Sequence, residues 1–465
     1  MPQPGFNQRK LIFVFLPLIL LAPFKDVAVK AQAPERSEDV YRWNNREPDA
    51  RFKADILVVV AHSDDETVIA GYCARAADQK LRVGIVWVID TGQSMNGGLN
   101  RVGPEQSASL AAVRQIEGER SAAVIGITNT WNLGGSDTAS QNPLESLEGN
   151  DHGQMLGRMV RLVRLTRPEV IITWLPEFVT GENHSDHQAS GVLATEAFDM
   201  AGDPTAFPEQ VSPATDPGHY MNRTEGLRPW QPQKLYYFAN PTHFDFFTGK
   251  GPEYNVTDIS PTRGVSYAEI AGRTVAEHKT QFGSADKADW VRDPVHFILG
   301  RSLVGGAATD DVAAGIVPGG IPFQRPPGYI APKHAQPVME LGDPWHFYRL
   351  FWQAHGLDSF FGLVPYEISL TRGTYLSIPL VIDNPLDTPI DVYLSVRAPE
   401  GWKVFPVAPA HVAAHEPRYY LRVQAASPAE VRREWQQFTV TAESQGKTIG
   451  TVPLRIQLVQ DNLPQ

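Results

Sequence analysis

Two short stretches of this chain hold residue types that can do chemistry together. His62-Ser63-Asp64-Asp65-Glu66 packs one imidazole and three carboxylates into five positions, and ENHSDHQAS (182–190) sets His184 and His187 three apart with Asp186 between them. Imidazole nitrogen with carboxylate oxygen is a zinc donor set, and three protein ligands with a fourth position left to water is its catalytic form. Each residue also has a plainer role open to it. A loop histidine is commonly just solvated, an Asp-Asp pair at a helix start can act as an N-cap, and Glu66 in a first turn can simply favour the helix dipole. Two such clusters in one chain favour the metal reading.

The elements around them say whether the clusters can meet. DILVVVAH runs apolar without a break into His62, as a strand buried on both faces of a parallel sheet does. Ile69, Tyr72, Cys73 and Ala76 follow at helical spacing. RVGIVWVIDTG (82–92) is a second strand, 105–127 a second helix, NTWNLGG a short strand, and 153–166 a helix. PEVIITWLP (168–176) is another buried strand, leading through the second cluster into a helix over 187–200. Strands alternating with helices predict an α/β, Rossmann-like doubly wound and mostly parallel sheet, whose site lies beyond the C-terminal strand ends. Both clusters fall at such ends.

Residues 201–350 are rich in Pro, Gly and aromatics and read as loops and short elements packed on the sheet, with 315–337 a long loop or linker. From about 364 the apolar period becomes two, as in DVYLSVR, RYYLRVQ and TVPLRIQLV, which predicts a C-terminal antiparallel β-sandwich. The expected organisation is a signal peptide over 1–33, an α/β domain over 34–363 (core 50–200, loop-rich extension 201–350) and a sandwich over 364–465.

The 465 residues carry a formal charge of -11 and no long basic run, which argues against nucleic acid as a partner. Arg9 and Lys10 precede the apolar run 11–24, and small residues follow in VKAQA, the order of a secretory signal. The run is shorter than the ~20 residues of a membrane span, so the expectation is export, periplasmic or secreted, without a stable span. Cys73 is the single cysteine, which rules out an intrachain disulfide and reads as a small core residue.

AHSDDE (61–66) followed by HSDHQASG (184–191) resembles the paired motifs of the PIG-L/LmbE-like family, the zinc-dependent N-acetylglucosaminyl deacetylases, written AHPDDE and HPDHxAxG. Arg114 and Glu117 match the helix between them. LRPWQPQKLYYF, AEHKTQF with His278 and Gln281, and DSFFGL (358–363) extend the similarity across about residues 50–363. The resemblance implies that His62, Asp65 and His187 hold one zinc per chain, or Fe²⁺, Co²⁺ or Ni²⁺ in the same donors. It implies that Asp64 is the general base and that His184 polarises the oxyanion or protonates the leaving amine. Asp186 is then a partner orienting a histidine ring, or a solvated loop residue. Arg114 is a substrate contact, or a helix-surface ion pair with Glu117. Ser63 and Ser185 stand where the family commonly has proline, which loosens the loops without removing a chemical group. The sandwich resembles the Ig-like domains appended to carbohydrate-active enzymes, as a glycan contact or a spacer. The expected function is an exported zinc deacetylase acting on an N-acetylglucosamine-type sugar or conjugate. The alternatives are an inactive glycan-binding protein, and an amidase or esterase acting on another small molecule.

Overall fold

The computed structural model describes residues 48–90, 107–138, 140–179, 184–211, 226–241, 244–282, 288–326, 334–430 and 432–459, all within one compact unit, Asn44–Gln465. The predicted signal segment lies outside them, as do Glu182 and Asn183. No described helix is long and apolar enough to cross a membrane.

The first sheet contains β1 (Ile56–Val60), β2 (Val83–Asp90), β3 (Asn129–Ser136), β4 (Val170–Trp174) and β5 (Lys234–Phe238). A short pair, β6 (Glu253–Tyr254) with β7 (Val295–His296), lies apart, and β8 (Ile298–Ser302) closes the edge. The order is β3-β2-β1-β4-β5-β8, parallel throughout except β8, which runs antiparallel to β5. Every residue of β1, β4 and β5 is buried, which is why β1 and β4 read as apolar runs, while β5 lies in the stretch expected to be loops and short elements.

Helices α1 (Ala70–Asp78), α2 (Ser107–Ile125), α3 (Pro143–Gly149), α4 (His152–Thr166), α5 (Ser185–Met200) and α6 (Tyr267–Glu277) cover this sheet. Helices α1, α2 and α6 pack together as one group, and α3, α4 and α5 as another. From β1 the chain winds outward through β2 to β3, then returns to β4 on the other side of β1. The connections leaving β1 and β4 therefore diverge, and a crevice opens between them at the C-terminal strand ends.

The remaining strands make a sandwich of two sheets. One is β10 (Glu367–Thr371), β17 (Lys447–Val459), β16 (Arg432–Ser444), β12 (Ile390–Arg397) and β14 (Ala410–Val412), in that order. The other is β13 (Lys403–Val404), β15 (Glu416–Ala426), β11 (Tyr375–Asn384) and β9 (Val338–Leu341). Pairing is antiparallel except between β10 and β17, which run parallel. Strand β9 precedes residue 364, so the sandwich borrows it from the stretch expected to be loops.

That stretch also holds α7 (Asp343–Ala354), packed between the layers. Tyr348, Phe351 and Trp352 are buried on one side of it, where the Tyr348 hydroxyl donates to Gln188 Oε1 at 2.6 Å and Trp352 Nε1 to Glu177 Oε2 at 3.0 Å. His346, Arg349 and Leu350 lie on the opposite side, toward β9 and β11. The aromatics of α7, Trp345, Phe347, Tyr348, Phe351 and Trp352, recur at helical spacing on one side, so the helix is one-sided within a stretch expected to be loops.

Candidate metal centre

Strand β1 delivers the first cluster. The chain leaves Val60 into a tight 3₁₀ stretch, Asp65–Ile69, before α1 begins. Asp64 stands at the N-cap position of that stretch, yet its side chain makes no capping bond. Gln281 Nε2 donates to its Oδ2 instead. Asp65 turns the other way. Its Oδ2 accepts the backbone N–H groups of Ala61 and His62, each at 2.9 Å, and the indole N–H of Trp174 at 2.8 Å. Its Oδ1 is left facing His187 Nε2 at 3.1 Å and His62 Nδ1 at 3.7 Å. Two adjacent aspartates thus have separate targets.

Strand β4 and α5 deliver the second cluster. The His187 ring stacks on Trp174 with centroids 4.0 Å apart and planes 2° from parallel. Gly191 allows this closeness, because a Cβ there would meet the Trp174 carbonyl oxygen at 2.3 Å. The His184 ring sits 4.0 Å from His187 and 5.2 Å from His62, centroid to centroid. Ser185 explains how this turn manages without proline. Its N–H donates to Ser140 O at 3.1 Å and its hydroxyl to Thr138 O at 3.2 Å, and the first of these bonds needs an N–H that proline lacks.

Those bonds bring in a residue that the sequence pattern did not single out. Asp137 follows the end of β3, and its Oδ1 lies 3.3 Å from His62 Nε2. Asp186 Oδ2 lies 3.6 Å from the same nitrogen while accepting Thr138 N–H at 2.9 Å, and its Oδ1 accepts the Ser146 hydroxyl at 2.5 Å. Asp186 is fully buried rather than solvated. His62 therefore presents Nδ1 toward Asp65 and has carboxylates behind Nε2, the arrangement that orients a ligating imidazole. The only signal for Asp137 was its place at a third C-terminal strand end.

A buried polar layer lies beneath. Glu66 does not merely favour a dipole: it is wholly buried, and its Oε1 accepts the Ser121 hydroxyl at 2.5 Å and faces His278 Nε2 at 2.7 Å. Arg114, Glu117 and Ser121 form a polar stripe on the buried face of α2. This corrects the picture of a surface ion pair, since Arg114 is 2% and Glu117 4% exposed. Glu117 accepts the backbone N–H of Thr280 at 3.0 Å and its hydroxyl at 2.7 Å. Gly118 lets α2 lie close to the first cluster, because a Cβ there would stand 2.9 Å from the Trp87 ring and 3.1 Å from Ser63 Cβ.

The electrostatics follow from burial against neighbours. Burial, and then the Asp65 charge, push Asp64 above the usual carboxylate range, against the pull of His278, His62 and Arg114. Asp65 resists its own burial and is held well below that range by His187 and His62. Burial would lower His62, but Asp137, Asp186 and Asp65 outweigh it and hold it well above the imidazole value. Burial, with His187 and His62 adding to it, holds His184 well below. Burial lowers Arg114, whose charge is favoured by Asp64, Asp137 and Glu117.

All seven residues singled out from the sequence therefore meet in one region. A divalent ion fits them on donor chemistry. His62, His184 and His187 offer ring nitrogens that all lie within 4.8 Å of one another, and Asp65 Oδ1 reaches toward two of these rings. His62 also belongs to a second such group, with Asp137 and Asp186.

Residues 57–198 match the family model described as PIG-L: GlcNAc-PI de-N-acetylase. The chain is 28% identical over 189 residues to a 1D-myo-inositol 2-acetamido-2-deoxy-alpha-D-glucopyranoside deacetylase of Streptomyces scabiei (strain 87.22), covering 38% of this chain and 58% of that one. It is 30% identical over 190 residues to the protein of the same name from Streptomyces avermitilis, covering 38% and 62%. The chain thus spans about three fifths of the length of these curated relatives. Among solved structures it is similar to the N,N'-diacetylchitobiose deacetylase from Pyrococcus horikoshii, with a TM-score of 0.38 and 17% identity, over 58% of this chain and 94% of that one.

Proposed function

We propose that this chain, whose residues 57–198 form a PIG-L domain of the GlcNAc-PI de-N-acetylase family, is an exported metal-dependent hydrolase. On this reading it removes the acetyl group from an N-acetylglucosamine-type sugar or conjugate. The substrate class is supported by the names of the relatives, and the chemistry by one observation: Asp64 and Asp65 are adjacent in sequence but aimed at different groups.

His62, Asp65 and His187 would hold the ion, zinc or another divalent metal that accepts the same donors. When bound, it supplies Lewis-acid polarisation of the amide carbonyl and a lowered pKa for water. Asp65 suits a ligand because Trp174 and two backbone N–H groups fix one of its oxygens and leave the other facing the histidines. Asp64 takes the proton from the attacking water, and the Gln281 amide fixes the direction of its carboxylate. Water oxygen bonds to the acetyl carbon, the carbonyl oxygen gains negative charge, and His184 donates a hydrogen bond to it. As the C–N bond breaks, the proton held by Asp64 passes to the leaving nitrogen, and acetate and a free amine result. Arg114, beneath Asp64, favours the carboxylate on which this transfer depends.

The test is acetate release from a panel of N-acetylated sugars and conjugates, before and after chelation. Release that stops with chelator and returns with added Zn²⁺ is expected. Turnover of esters or non-sugar amides alone would contradict the substrate class, and chelator-resistant turnover would contradict the metal.

A further inference from the structure

Between α7 and the sandwich sheet lies a cavity of about 110 Å³ that the catalytic reading does not use. Its polar wall includes His334, His346, Arg349, Asp383 and Arg418, and Val338, Leu350 and Val381 contribute apolar surface. Glu340, also on the wall, pairs with Arg349.

Several of these polar groups have unmet hydrogen-bonding capacity. Arg349 Nη2 donates to His346 Nδ1 at 2.7 Å, which leaves the hydrogen of a neutral ring on Nε2, and that buried nitrogen has no partner. Asp383 is half-buried and its carboxylate makes no hydrogen bond to a described residue; burial raises its carboxyl, against the nearby His334. The Arg418 guanidinium is exposed and unpaired among the described residues. The buried His346 nitrogen costs free energy while unmet, whereas Asp383 and Arg418 reach solvent and can exchange water for a ligand.

The wall carries no net charge to draw in a free anion or cation, because Glu340 is paired with Arg349 and Asp383 is offset by Arg418. An ion is disfavoured as well, since the groups of described residues able to hold one lie in the α/β crevice. What remains is a neutral molecule offering both donors and acceptors over an apolar body. We infer that the cavity is a subsite for one neutral pyranose unit of a glycan, with ring hydroxyls donating to Asp383 and accepting from Arg418 and His346. The C–H face of the sugar would rest on Val338 and Leu350. The subsite lies on the face of α7 opposite Tyr348 and Trp352, so it is separate from the metal centre.

The experiment is calorimetric titration of the full chain with neutral oligomers of N-acetylglucosamine, glucose, mannose and galactose, and with cationic glucosamine oligomers. At least one neutral oligomer should bind, at least tenfold more weakly in Asp383→Asn/Arg418→Ala, while glucosamine oligomers bind no better than neutral ones. Turnover of N-acetylated monosaccharides and the unfolding midpoint should not change in that variant. Titration of Asp64→Asn should keep the variant-sensitive binding, so failure of the catalytic reading would leave this one standing. No variant-sensitive binding by any neutral oligomer, or tighter binding of the cationic series, would overturn the inference.

Discussion

The two layers of the molecule bury different chemistry. Around the α/β crevice, His62, Asp65, Glu66, Arg114, Asp186 and His187 are each at most 8% exposed. In the sandwich the packed cluster is apolar, from Leu376 and Ile378 through Phe438 to Ile456 and Leu458. The few buried polar groups there serve the fold: Asn384 donates to the carbonyls of Thr388 and Ala413, Gln436 accepts from Trp402, and Glu367 pairs with Arg455. Burying charges is unfavourable unless each is paired and hydrogen-bonded, and apolar packing of similar volume is often as stable or more so. A fold therefore has little reason to keep such a cluster for stability alone. The sandwich shows a core that this chain builds by packing, and the crevice shows the paired polar cluster that the proposed chemistry would need.

Mutations can break this contrast. The largest effect is expected from His62→Ala or His187→Ala, which should abolish both metal retention and acetate release, since two remaining ligands cannot close the site. Elemental analysis after dialysis is the measurement, and full occupancy in both variants would remove the metal from these residues.

Stability should respond next, and differently in the two layers. Phe438→Ala deletes a fully buried ring that meets Trp402 edge-on and should cost ~3–5 kcal/mol in denaturant unfolding, with metal content unchanged. Glu66→Ala should cost a similar ~3–5 kcal/mol by stranding its buried partners, and should also slow turnover, because His278 sits near Asp64 as well. Equal effects of the two on turnover would erase the contrast.

A smaller, pH-dependent effect is expected at Glu177. Burial lifts its carboxyl to about 8, with Trp352 donating to it. Because the folded value exceeds the unfolded one, near 4.5, its contribution is fully present below about 4.5 and is lost as pH rises through about 8. Glu177→Gln mimics the protonated form, so its melting temperature should fall less than that of wild type between pH 5 and 9. Parallel profiles would place the ionised form in the fold. The smallest effect is expected from Tyr348→Phe, which removes one bond to Gln188, beside His187. About 1 kcal/mol of stability and a few-fold change in metal affinity are expected. An unchanged affinity would mean that α7 supports the fold and not the site.

The parts legible in the sequence were those with one strong local cause. β1 and β4 are buried on both faces and so read as continuous apolar runs, and the two histidine clusters stand at their ends. Residues positioned from a distance were harder to read. Asp137 is held beside His62 by bonds that Ser185 and Asp186 make to Thr138 and Ser140, and only its place at a strand end marks it. Trp174 looks like any strand residue until His187 stacks on it. Helix α7 carries its aromatics on one side at helical spacing, but it is short and borders a stretch whose Pro and Gly content reads as loops. Helix α6 lies in the stretch expected to be loops and short elements, and its start is fixed by the Ser266 hydroxyl, which accepts the Glu269 N–H at 3.1 Å. That helix positions His278 and, just beyond it, Gln281.

On the proposed reading, adjacent aspartates divide the work, Asp65 holding the ion and Asp64 taking the proton. Zn²⁺ titration of the metal-free Asp64→Asn and Asp65→Asn variants, followed by acetate release at saturating metal, tests it most directly. Asp64→Asn should bind metal like wild type yet turn over ~10²–10⁴ more slowly, as loss of a general base does. Asp65→Asn should bind far more weakly, because a neutral amide replaces a charged ligand. Loss of the ion in Asp64→Asn with retention in Asp65→Asn would reverse the roles, and full activity in both would move the site elsewhere.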